Sequence, residues 1–246
     1  ANFLKPSVSF QKHRRDEQGY NGFMKPHEGP DYQKAQLQGQ NLEHAKFQQA
    51  NLQSANLEKT NLMRANLCRA DLQKANLDGT YLNHANLEGA NLNDCDLTTT
   101  HLDEAFLINA KLKGADLQGK ELTVSTLEGA DLSGAQLQNI TMSNANATRA
   151  RLNEAKLNNA SLRYNDFSNA HFKNADLDHG NCYQSKFNNA DLSGANLTNV
   201  DFVKANLCKA NLSNTNLKEA DLDGAWLHEA NLVGANLKNV KNLKKA

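Results

Sequence analysis

Six side chains of acid–base character gather in residues 81–121. Tyr81, His101 and Glu121 follow one another at intervals of twenty, with His84, Asp103 and Glu104 close by. A histidine between a phenol and a carboxylate has the makings of a general base, provided the fold stacks positions twenty apart. The same interval recurs further along. Arg163, Tyr183 and Val203 form one such series, and Tyr164, Gln184 and Lys204 form the next. Tyrosine and arginine dominate interface hot spots because they bury a large area and still hydrogen-bond. Aromatic residues are only 6% of this chain, so their concentration here is informative. Phe106 with Ile108 offers a second apolar spot for a partner, and the single tryptophan, Trp226, suits a contact between two copies. All of this depends on whether twenty residues return the chain to the same place.

The chain has a period of five. From Leu37 in steps of five to Leu237 there are 41 positions, of which 33 are Leu, 5 are Phe (Phe47, Phe167, Phe172, Phe187, Phe202) and one is Met142; only Ala147 and Cys182 depart. Two residues earlier, 28 of the 41 are Ala, and one residue earlier 25 are Asn or Asp. Five matches neither the helical period of 3.6 nor the strand period of two, so the chain must turn every five residues. Ala and Leu, two apart in an extended segment, point to the same side, with Asn or Asp outward between them and two variable residues at the corner. Asn and Asp tolerate turns and bond to nearby backbone, so their abundance is structural.

A second period gives the number of sides. Eight of the 13 residues that replace the inward Ala are Gln40, Thr60, Thr80, Thr100, Lys120, Ile140, Gly180 and Val200, all on one face, whereas the face from Ala50 to Ala230 keeps Ala in all ten coils. Twenty residues at five per side make a square coil. Forty-one units make about ten coils, or a rod roughly 50 Å long at the usual spacing between strands.

The repeating units, such as Ala75-Asn76-Leu77-Asp78-Gly79 and Ala190-Asp191-Leu192-Ser193-Gly194, resemble the pentapeptide-repeat family. That resemblance implies an all-β fold, a right-handed quadrilateral parallel β-helix, with mostly bacterial members that work by binding. It also implies that some members protect or inhibit type II topoisomerases by resembling DNA.

Three segments follow: a non-repeat segment at 1–34, the β-helix at 35–239 and a short basic tail at 240–246. The first holds all three prolines (Pro6, Pro26, Pro30) and many apolar residues, and it can cover the first coil or run along a face. The basic run Lys12-His13-Arg14-Arg15 is followed at once by Asp16 and Glu17 and reads as a solvated turn. At the other end Leu222, Leu227, Leu232 and Leu237 line a last layer that no later coil covers, which favours a homodimer through the C-terminal end. Lys241, Lys244 and Lys245 folded over that end as a charged lid are the alternative. Cys95 and Cys182 are inward on different coils, and Cys68 and Cys208 share a column seven coils apart, so four free thiols are expected and a reducing, cytoplasmic setting with them. A secreted effector, or export with a leader removed, is the alternative.

Lys and Arg number 27 and Asp and Glu 27, which leaves no global field for nucleic acid. No apolar run approaches a membrane span. By face the charges sum to about −3, +1, 0 and −3, so no wall is acidic enough to imitate phosphates. The acid–base cluster at Tyr81 lies on a convex wall with no nucleophile beside it, and the chain carries no P-loop, metal-ligand spacing or nucleophile motif. The sequence therefore reads as a non-enzymatic interaction or scaffolding protein, without metal or cofactor, whose partner is another protein. Its partner-binding candidates are Arg163, Tyr164, Tyr183, Gln184, Val203, Lys204, Phe106 and Ile108, and Trp226 is the dimer candidate. A DNA-mimicking topoisomerase binder is the runner-up.

Overall fold

The computed structural model describes residues 29–123 and 125–243. Parallel bridges run up the columns of the Asn/Asp position, joining residues twenty apart from Asp31 with Asn51 to Asp221 with Lys241. Each square coil therefore rests on the one before it. The ladder bonds are regular: Leu132 N–H donates to the Arg151 carbonyl at 2.7 Å, and Asp131 N–H to the Ala110 carbonyl at 2.9 Å. Each side is a single bridged residue wide, because the corner takes up the rest of the five.

The sequence explains the corner. The Leu carbonyl accepts from the Ala N–H three residues on, as from Ala135 to Leu132 at 3.0 Å. The residue before that Ala has a positive φ, which a type II turn requires and which Gly and Asn adopt most easily. Gly and Asn together fill half of these left-handed corners. Thr99 is not among them: a β-branched residue is strained there, and its hydroxyl instead accepts from Gly79 N–H at 3.1 Å. Where the residue before the Leu is Asn or Asp, it holds the other end of the turn: Asn51 Oδ1 accepts from Gln53 N–H at 3.1 Å and Asp131 Oδ1 from Ser133 N–H, also at 3.1 Å. Asn side chains also bond up the column, for example Asn91 to Asp71 and Asn211 to Asp191, both at 3.0 Å.

The Leu and Ala columns form one continuous buried core. Departures from Leu compensate in volume: Ala147 is followed in its column by Phe167, and Cys182 by Phe202. The rings of Phe167, Phe172, Phe187 and Phe202 fill the resulting space, with centroids 5.1 to 5.6 Å apart. The irregular face has a reason too. Thr60, Thr80 and Thr100 are fully buried, and each hydroxyl donates to the turn carbonyl of the coil before it, Leu37, Leu57 and Leu77 respectively. Lys120, in the same column, extends its ammonium to the Thr100 carbonyl at 2.7 Å, and desolvation holds its pKa below the usual lysine value.

At the N-terminal end Tyr32 stands where later coils have Leu and packs edge-on against Phe47, with centroids 5.2 Å apart. Residues 1–28, including the basic run at 12–15, lie outside the described residues, as do Lys244 and Lys245. At the far end the uncovered layer is smaller than the sequence suggests. Leu222 is buried, because the ladder continues one step further and its N–H donates to the Lys241 carbonyl at 3.1 Å. Leu227, Leu232 and Leu237 remain half-buried. Among the described residues no helix is long and apolar enough to cross a membrane.

Candidate functional site

One corner of the rod is built unlike the others. It separates the irregular face from the next, and its inward residue is Ala in seven coils but Ser125, Asn165 and Ser185 in the rest. Asn165 is 1% exposed, and its side chain lies between the two ends of the turn in the coil before it. Its Nδ2 donates to the Met142 carbonyl at 2.9 Å, and its Oδ1 accepts from Ala145 N–H at 2.9 Å. An amide thus replaces the direct bond that closes other turns. Ser185 does the same one coil later: its hydroxyl donates to the Leu162 carbonyl at 2.5 Å and accepts from Asn165 N–H at 3.1 Å. The turn it props open is the one that carries Arg163 and Tyr164.

Tyr164 occupies the left-handed position with φ 61°, the one tyrosine at a corner dominated by Gly, Asn and long polar residues. A bulky side chain there is locally disfavoured, which marks the position as one to be explained by function. Its ring meets Tyr183 edge-on, with centroids 5.6 Å apart. The Arg163 guanidinium stands 5.4 Å from both ring centroids, and the Lys204 ammonium is 5.7 Å from that of Tyr183. Arg163 also donates to the Tyr164 hydroxyl at 3.5 Å, and Lys204 to the Tyr183 hydroxyl at 3.4 Å. Arg163 is thus held against both rings, a contact worth roughly 0.5–1 kcal/mol at an exposed site, while Lys204 is held at the Tyr183 hydroxyl. No carboxylate among the described residues pairs with either cation.

Beside this group runs a groove of about 390 Å³. Tyr164, Gln184 and Lys204 form one rim and Lys186, Asn206 and Trp226 the other, with Ser185 at the floor. Trp226, which the sequence suggests for a dimer contact, is 65% exposed and stands in the same groove as Tyr164. Val203, half-buried, is one residue from Lys204. Lys186 is paired with Asp166 at 3.3 Å. Burial opposes ionisation of Asp166, but the hydroxyl and amide of Ser168 together with Lys186 prevail and hold its pKa below the usual value. Phe106 (48% exposed) and half-buried Ile108 lie on the second face, with Phe106 in the column of Trp226 but six coils away, so they form a separate spot.

The acid–base cluster takes the stacked form its spacing implies. Tyr81 and His101 lie parallel, with centroids 4.6 Å apart, and His84 Nδ1 is 3.3 Å from Glu104. It stands on the open wall, away from the groove. Sequence reasoning did not single out Ser185, Lys186 or Asn206 as lining residues. The available signal was the loss of Ala at 165 and 185 in a column that keeps it everywhere else but at Ser125.

The pentapeptide-repeat family model matches in eight copies, over 33–119, 125–163 and 166–239. Its second break, at 164–165, falls on the opened turn. Among solved structures, HetL, a pentapeptide repeat protein involved in heterocyst differentiation regulation from the cyanobacterium Nostoc sp. strain PCC 7120, is 30% identical, with 84% of this chain and 90% of that one covered and a TM-score of 0.38. A pentapeptide repeat protein of the Arabidopsis thaliana thylakoid lumen is 28% identical over 50% of this chain and 68% of its own, with a TM-score of 0.32. QnrB1, a plasmid-mediated fluoroquinolone resistance protein, is 16% identical over 77% of this chain and 91% of its own, with a TM-score of 0.41. No curated protein matches the chain.

Proposed function

This chain belongs to the pentapeptide-repeat family, whose fold is the right-handed quadrilateral β-helix, and from that premise we propose that it is a non-enzymatic scaffold that binds another protein at the groove bordered by Tyr164 and Trp226. The observation that carries this reading is the turn propped open by Ser185, which presents Arg163 and Tyr164 at a strained corner beside an otherwise flat wall. Interfaces are anchored by a few aromatic and arginine side chains at a concave spot. The two faces that meet here also carry Tyr81, Phe106, Tyr164 and Trp226, the exposed aromatic side chains of the described rod.

The competing function, imitation of DNA toward a type II topoisomerase, lacks support in the charge pattern, since no face exceeds a net charge of about −3. We further propose that two copies pair through the C-terminal end, where Leu227, Leu232 and Leu237 are only half-buried, and that the protein works in the cytoplasm, where its four unpaired thiols persist.

Affinity capture from extracts of the source organism, with wild type beside a Tyr164→Asn, Tyr183→Ala variant, tests the site. Asn already adopts the left-handed conformation at ten corners of the rod, Asn144 in this same column among them, so the variant keeps the fold. Recovery of the specific partner should fall about tenfold or more, as loss of two hot-spot aromatics implies. Full retention of that partner by the variant refutes the site.

A further inference from the structure

The character of the groove narrows what it can hold. Two cations line it, Lys186 and Lys204, and a third, Arg163, stands against the ring of Tyr164 at its rim; among the described residues only Lys186 of the three has a carboxylate partner. Arg163 belongs to the coil before Tyr183 and Lys204 to the coil after, and both cations reach toward the Tyr183 ring. Their backbone positions are therefore about 10 Å apart along the rod, twice the spacing of neighbouring strands. In a chain of zero net charge, two cations that pair with no carboxylate among the described residues and stand beside aromatic rings concentrate positive charge locally. Trp226, 65% exposed, continues the groove toward the C-terminal end with an apolar surface.

We infer that the groove takes an extended acidic segment of a protein partner, lying along the rod axis, with two carboxylates on Arg163 and Lys204 and an apolar side chain against Trp226. This rests on the reading of the groove as the partner site and adds the chemistry of the partner. Three residues of extended chain span about 10 Å, so acidic residues three apart reach both cations. A single-stranded nucleic acid also offers anions and stacking surfaces, but it needs a basic track along its whole length. Here Asp201, Asp221 and Asp223 follow on the same face, and they would repel the next phosphates.

Trp226 is the only tryptophan, so its fluorescence in the full-length protein reports on the groove directly. The probe is a capped peptide with two glutamates three positions apart and a phenylalanine beyond them. Its controls are the same peptide with both glutamates replaced by glutamine, and an oligothymidylate of eight nucleotides. The acidic peptide should change Trp226 emission saturably and more weakly at high salt. The glutamine peptide, and the acidic peptide on an Arg163→Gln, Lys204→Gln variant, should each bind about tenfold more weakly, the effect of losing two partly screened ion pairs. Gln already occupies the left-handed corner at 184, so the Lys204 change is compatible with the turn. Equal binding of both peptides overturns the acidic assignment and leaves the groove as the partner site. Tighter binding of the oligothymidylate overturns it in favour of nucleic acid. No response to any probe, in a protein whose cellular partner is still lost on Tyr164→Asn, Tyr183→Ala, overturns the proposal alone, whereas a partner unaffected by that variant overturns the reading beneath it.

Discussion

Leu132 and Leu232 occupy the same column five coils apart, each two residues after an Ala and followed by a residue and a Gly at the corner. Leu132 lies between Leu112 and Leu152 and is 1% exposed, while Leu232 has Leu212 on one side, no coil among the described residues on the other, and is half-buried. Truncation to Ala removes the same atoms in both cases, so the difference measures the missing layer. At Leu132 the cavity is closed on all sides, and the loss should be about 2–5 kcal/mol. At Leu232 roughly half of the packing partners are absent, solvent fills the vacated space, and the loss should be about half as large or less. Urea denaturation followed by far-ultraviolet circular dichroism, at submicromolar protein, measures both. Stacked repeats need not unfold as one unit, so the comparison uses the shift of each transition and requires unchanged slopes. Equal losses at low concentration would refute the packing argument. A Leu232→Ala loss that grows with protein concentration toward that of Leu132→Ala would instead show the last layer covered by a second copy.

Four further outcomes are expected. Thiol titration after denaturation without reductant should find four thiols; Cys95 should react only after unfolding, since burial pushes its pKa up to about 11, and Cys182 is pushed up as well. Micromolar protein should neither inhibit gyrase supercoiling nor relieve quinolone poisoning, and robust inhibition would restore DNA mimicry as the leading function. Gly134→Ser should cost less than about 1 kcal/mol despite φ +67°, because no atom lies within 4 Å of the added carbon and Ser54 adopts the same corner; Gly134→Val should cost clearly more, on the logic of Thr99. Asp166→Asn should flatten the acid limb of stability: a carboxyl whose folded pKa is depressed stabilises above its unfolded value near 3.8, and that contribution is lost as pH falls through the folded value.

The square coil was legible because two periods are written in the sequence, five for the sides and twenty for the columns. Repeat packing makes such periods unavoidable, since any residue facing inward must match its neighbours above and below. The corner was read less well. Taken as variable, its second residue in fact carries the left-handed conformation, so its many Gly and Asn residues have a backbone cause rather than freedom of choice. Gly134 illustrates the difference, because its positive φ is a requirement of the turn and is shared by residues as different as Lys34 and Glu219.

The candidate site was legible only in part, for a reason that applies to solenoids generally. Column arithmetic places Arg163, Tyr183 and Lys204 next to one another, and the rings and cations do meet. It cannot place Trp226 with them, because that depends on depth at a corner between two faces rather than on height along the rod. The depth comes from Asn165 and Ser185, two polar residues in a column of alanines, each of which satisfies a turn of the previous coil and holds it open. In a fold whose interior is fixed by repetition, an inward residue that takes over both ends of the previous turn, as Asn165 and Ser185 do and the buried threonines do not, changes the outer wall one coil away. The places to seek function in such a rod therefore include the outward corner residues 21 and 22 positions before an inward exception that enters the previous turn, and at Ser185 that rule leads to Tyr164 and Arg163.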